Sequence, residues 1–193
     1  MQGRFLRVLG TALALSLATT VSLLILEGRW QEALPLHLCS VSALCALFLA
    51  LAFRQALLDF LWYLGMPGAA LALLFPAPAV SRWQALLNLS YVVTHALILI
   101  IPIARMLGGA APRGGRTGQM MLWLVLLALA AAIVNRRLGT DFLFLSAPPA
   151  ATPLETVFAL GYPAYLLSLF LMMLLLCLVM DRAARALHRS AVQ

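Results

Sequence analysis

An imidazole and a thiol stand two residues apart in Leu34-Pro35-Leu36-His37-Leu38-Cys39-Ser40, and these are the groups from which nucleophilic cysteine chemistry is built. Successive residues of a helix are turned by about 100°, so His37 and Cys39 diverge by roughly 200° and do not easily form a dyad. His37 and Ser40, at i and i+3, share a face instead. A partner for Cys39 has to come from another helix. His95 is the candidate, because Asn88, Tyr91 and His95 recur at i, i+3 and i+7 and draw one polar stripe along an apolar segment. A thiol buried among apolar groups stays protonated and weakly nucleophilic unless an imidazole or other positive group lies beside it, so a catalytic Cys39 requires that these side chains meet. His37, Asn135 or a backbone N–H near Gly65 and Gly68 would then serve a developing oxyanion, for which donors must lie about 3 Å away.

Each of these residues also has a plainer reading. His95 fits a hydrogen-bonded histidine that joins two helices. Cys39 fits a small hydrophobe in a core, and Cys45 and Cys177, which lack polar neighbours in sequence, are expected only to pack. Asn135 fits a helix-end cap with Gly139 beyond it, and Asp141 follows in the connection after that helix. Two further functional classes remain open. His37 and His95 on two helices suit a bis-histidine haem site, and a polar stripe beside a broken helix suits a transport path. Neither a resident cofactor nor a metal is expected.

The elements that must hold these groups are membrane helices. Hydrophobic residues make up 64% of the 193 and charged residues only 10%, too few to cover a soluble surface. Runs of apolar residues between charges and turn residues predict helices near 5–26, 34–53, 57–75, 84–107, 119–136 and 157–180. The expected fold is therefore all-α, a polytopic transmembrane bundle of about six spans forming a single transmembrane domain over 1–193. The first run, following Met1, Arg4 and Arg7, is too long for a signal-peptide core and is expected to remain as a helix. Pro35 suits the first turn of the second helix. In the third, Gly65-Met66-Pro67-Gly68 should kink or break the helix. The connection from Leu138 to Glu155 carries Phe142-Leu143-Phe144-Leu145, three alanines and Pro148, Pro149 and Pro153, so it is expected to fold back onto the outer membrane face.

Charge sets orientation and excludes partners. The net charge is +7, yet all 13 basic residues are arginines scattered singly or in pairs, which does not make a nucleic-acid surface. The absence of lysine excludes any mechanism that needs a lysine Schiff base. With the N-terminus cytoplasmic, nine arginines lie inside and Arg29, Arg82, Arg136 and Arg137 outside, which favours both termini in the cytoplasm. Trp30 and Trp83 then fall at the outer interface and Trp123 near the inner one, while Asn135 and Asp141 come to about the depth of His37. His95 lies about eleven residues into its predicted helix and Cys39 about five into its own, a depth difference of roughly 9 Å that tilt must absorb. Membrane lipids are the expected partners, since acyl chains can enter sideways between helices. Three cysteines in apolar runs do not suggest a disulfide framework.

Several stretches together resemble the YwaF-like integral membrane proteins of bacteria, a family distantly similar to the animal transmembrane protein 164 acyltransferases. They are Leu34-Pro35-Leu36-His37-Leu38-Cys39, Tyr63-Leu64-Gly65-Met66-Pro67-Gly68-Ala69 with Pro76, His95, Asn135 with Gly139-Thr140-Asp141-Phe142, and Gly161-Tyr162-Pro163-Ala164-Tyr165, in the family's order. The first is the most specific. Ser40 stands where the family carries an acidic residue, and the relatives carry one further hydrophobic helix at the N-terminus. By similarity to the animal branch, the resemblance implies Cys39 as nucleophile, His95 as base, and an acyl transfer between lipids expected in a bacterial cytoplasmic membrane.

Overall fold

The computed structural model describes residues 2–76, 81–149 and 152–190, so Met1, Ala150, Ala151 and the side chain of Arg189 lie outside the described residues. All regular structure among the described residues is helical. Among the described residues, five helices are long and apolar enough to cross a membrane, Gln2–Leu26, Gln55–Leu74, Gln84–Leu107, Thr117–Leu138 and Tyr162–Leu187, and a sixth, Leu38–Leu51, is apolar but shorter. In hydrocarbon every backbone polar group must find its partner within the chain, and the helix provides that within one segment. The chain is an integral membrane protein of the all-α class. Its contacts divide it into two compact units, 1–112 and 113–193.

The first unit contains α1 (Gln2–Leu26), a 3-10 turn at Trp30–Ala33, α2 (Leu38–Leu51), α3 (Gln55–Leu74) and α4 (Gln84–Leu107). Helix α4 packs against all of the other three, and its Leu97, Ile98 and Ile101 join Leu13, Ala46, Leu49 and Leu61 in one core. Small residues let α1 and α2 approach: a Cβ placed on Gly10 would lie 3.1 Å from that of Ala50. Polar groups then bind the helices together. Ser16 Oγ donates to the Ser90 carbonyl at 3.0 Å and lies 2.8 Å from Thr94 Oγ1, and Arg105 donates to the carbonyls of Leu49 and Ala50, closing the C-terminus of α2.

Helix α2 is shorter than predicted at both ends. Pro35 lies in the turn before it rather than in its first turn, because Leu34 and His37 are extended and His37 takes the N-cap position. Fourteen residues at 1.5 Å each reach about 21 Å, short of a 30 Å hydrocarbon core. Helix α3 runs on through Pro67. The chain widens into a π-helical turn at Leu61–Gly65, where the Met66 N–H bonds back five residues to the Leu61 carbonyl, and Pro67 opens the α-helical stretch that follows. A proline lacks an N–H and crowds the carbonyl four residues before it, and a wide turn at that place accommodates both effects without a break.

At the other end of α1, Glu27 accepts hydrogen bonds from Ser81 and Arg29, and Arg29 pairs with Glu32 at 2.7 Å. The Ser81 hydroxyl, assisted by the Arg29 and Arg82 charges, holds the Glu27 carboxyl below its ordinary range, while Glu32 raises the Arg29 guanidinium above its own.

The second unit contains α5 (Thr117–Leu138), a 3-10 turn at Phe142–Phe144, α6 (Leu154–Phe158) and α7 (Tyr162–Ser190). Leu122, Leu129 and Ile133 of α5 are more than half exposed, the pattern of a helix whose solvent is lipid. Gly139 ends α5 at φ 67, its N–H bonding the Asn135 carbonyl at 2.9 Å. The segment predicted as one helix over 157–180 is divided by Gly161, at φ 115, into α6 and α7. Asp181, buried near the end of α7, accepts from the Gly115 N–H at 2.5 Å and from Arg185 at 2.8 Å.

Candidate functional site

Cys39 is the second residue of α2, half-buried against the core of the first unit, and the His37 carbonyl accepts the Ser40 and Val41 N–H groups as that helix begins. Its position in the first helical turn matters chemically, since the positive end of the peptide dipoles favours negative charge there. Two glycines of α3 receive this turn. The side chain of Leu38 lies against Gly68, with 3.3 Å to a notional Cβ, and Ser42 lies against Gly65, with 3.1 Å.

His95 is 3% exposed on α4. Its Nδ1 lies 2.7 Å from the Tyr91 carbonyl oxygen, and its ring sits 4.1 Å from the Tyr91 ring. A carbonyl can only accept, so Nδ1 carries the hydrogen and Nε2 keeps its lone pair in the neutral ring. Tyr91 is itself anchored, its hydroxyl donating to the Ala72 carbonyl of α3 at 2.7 Å. The neighbour of Cys39 thus meets α3 at Gly68, and the residue one turn before His95 meets it at Ala72, one further turn along.

Cys39, His37, His95, Tyr91 and Asn88 all belong to the first unit, with His37 at the N-cap of α2, Cys39 on α2 and the other three on α4, and both helices pack against α3. Among the described residues no hydrogen bond joins Cys39 to His95: the imidazole bonds Tyr91, and Cys39 packs against the hydrophobic core. Gly65 and Gly68 lie inside the helical ladder, and their role here is to provide room.

Asn135 and Asp141 belong to the second unit, where they organise the connection after α5. Asn135, 8% exposed, donates from Nδ2 to the Phe142 carbonyl at 3.0 Å and accepts at Oδ1 from the Phe142 N–H at 2.8 Å and the Thr140 hydroxyl at 3.0 Å. Asp141 accepts from the backbone N–H groups of Ser146 and Ala147. Phe142 is thereby buried, Leu143 and Phe144 take positive φ, and the Tyr165 hydroxyl donates to the Phe144 carbonyl at 2.5 Å. Cys177 packs in the same unit, fully buried.

Sequence reasoning passed over Ser42. It is fully buried, three residues after Cys39, and its hydroxyl has no hydrogen-bond partner among the described residues. A lone serine in an apolar helix gives little signal before its surroundings are known. Among the described residues, no three His, Cys, Asp or Glu side chains gather where they could hold a metal ion.

The family model of the TMEM164 family matches residues 1–181 of the chain. No curated protein and no solved structure matches it significantly.

Proposed function

Since the chain belongs to the TMEM164 family, we propose that this membrane protein is a cysteine-dependent lipid acyltransferase, or a lipid hydrolase where water is the acceptor. Its likeness to the YwaF-like bacterial proteins rests on the shared motifs and points to the same residues. The observation that carries the reading is the hydrogen bond from His95 Nδ1 to the Tyr91 carbonyl, which leaves Nε2 free to take a proton in the core of the unit that also holds Cys39.

In the proposed reaction, His95 Nε2 takes the proton of the Cys39 thiol and the thiolate attacks the ester carbonyl of a membrane lipid. The tetrahedral intermediate collapses to an acyl thioester as the imidazolium returns the proton to the departing alkoxide. A second lipid hydroxyl, or water, then gives its proton to His95 and attacks the thioester, and the thiolate is reprotonated as it leaves. His37, at the N-cap of α2 two residues before Cys39, is the candidate donor to the developing oxyanion, and Asn88 and Tyr91 set the orientation of the His95 stripe. Asn135 and Asp141 act in this scheme by fixing the connection after α5. The thiol and imidazole must draw together when substrate enters, a tightening commonly seen between free and substrate-bound sites.

The test is a purified chain in liposomes containing a phospholipid with an isotopically labelled acyl chain. The expected result is an acyl adduct mapped to Cys39, released by hydroxylamine, and absent together with turnover in Cys39→Ala. Turnover that persists in Cys39→Ala would overturn the proposal.

A further inference from the structure

Two buried side-chain polar atoms among the described residues have no hydrogen-bond partner, Ser42 Oγ and Thr117 Oγ1. An unpaired hydroxyl in a packed interior costs stability, and helical serines ordinarily relieve that cost by bonding a nearby carbonyl or side chain. Ser16 does so in the same unit, with both Ser90 and Thr94 in reach. Ser42 does not, although it is completely shielded.

Its place in the fold gives the free hydroxyl a use. Ser42 follows Cys39 by three residues, so the two stand about 60° apart on one face with roughly 5–6 Å between their Cβ atoms. Helical Cα–Cβ bonds tilt toward the N-terminus, so the Ser42 side chain leans toward the turn that carries Cys39. Across from it is Gly65 at the end of the π-helical turn, and a Cβ there would lie 3.1 Å from Ser42 Oγ. Glycine therefore keeps open the space in which the hydroxyl can rotate.

We propose that Ser42 is a positioning residue for Cys39: its side chain rotates about the Cα–Cβ bond so that the O–H donates to the Cys39 sulfur as the thiol proton passes to His95, and it holds the resulting thiolate in place for attack on the lipid ester. The serine keeps its own proton throughout. This inference rests on the Cys39–His95 reading and deepens it.

The experiment measures the rate at which a thiol-directed, lipid-like probe modifies Cys39 in the full purified chain, at neutral and at strongly alkaline pH, with thermal unfolding of the same samples. Ser42→Ala is expected to label about tenfold more slowly at neutral pH and as fast as wild type at alkaline pH, where ionisation no longer needs help. Its thermal midpoint should not fall, since an unpaired polar group has been removed, and Ser42→Thr should recover most of the neutral-pH rate. Slow labelling at both pH values would mean altered access and would overturn the inference. Wild-type labelling in Ser42→Ala, with dependence on His95 retained, would overturn it and leave the Cys39–His95 reading standing. A wild-type Cys39 that does not label at all would overturn both.

Discussion

A neutral imidazole whose Nδ1 hydrogen is committed to a carbonyl can accept a proton only at Nε2, and the Tyr91 carbonyl imposes that choice on His95. The polar stripe of Asn88, Tyr91 and His95 was legible in the sequence, because its spacing is helical. The tautomer was not, since it depends on where a ring lies against its own helix. Asn135 shows the same limits: its position one turn before Gly139 indicates a helix end, and Gly139 does end α5. Its side chain, however, grips a residue seven positions on, which no local pattern reveals. Replacing Asn135 with Ala removes two hydrogen bonds that it makes to the buried Phe142 backbone, each loss of this kind costing about 1–3 kcal/mol. We expect Asn135→Ala to lower the thermal midpoint in detergent and to speed proteolysis of the connection between α5 and α6. An unchanged midpoint would mean that the contacts of Asn135 are dispensable for folding.

At the scale of elements, charges and apolar runs located the helices well, and α4 spans Gln84–Leu107 as predicted from its flanking residues. The departures have local causes. Extended backbone at Leu34 and His37 delays the start of α2, and a π-helical turn carries α3 through Pro67 where a kink or a break was expected. A π-helical turn leaves no compositional mark, so only the coordinates reveal it. Its consequence is a difference between two glycines. A Cβ at Gly65 would lie 2.8 Å from Leu61 Cδ2 and 3.1 Å from Ser42 Oγ, whereas at Gly68 the nearest atom is the end of the Leu38 side chain at 3.3 Å. Gly68→Ala is expected to be neutral or mildly stabilising, because alanine favours helix by about 1 kcal/mol over glycine. Gly65→Val should destabilise by about 1–3 kcal/mol through overpacking and should displace the turn of α2 that carries Cys39. Thermal unfolding of the two variants in detergent checks the order, and equal effects would contradict it.

Across the whole molecule, composition alone identified the class: a chain with 64% hydrophobic and 10% charged residues shows, among the described residues, five helices fit to span a bilayer and one shorter apolar helix. The arginine distribution supports the proposal that both termini face the cytoplasm, with the start of α2 at the outer side. The chemistry reads less directly, since Cys39 and His95 lie 56 positions apart on α2 and α4, two helices that pack against each other and against α3. The most direct test of the account is the labelling rate of Cys39 by a thiol-directed, lipid-like probe near neutral pH, located by peptide mapping, in wild type and in His95→Ala and His95→Gln. A coupled thiol and imidazole predict labelling at Cys39 that slows by about a hundredfold in both variants. Labelling at the same rate with and without the imidazole would contradict the central claim.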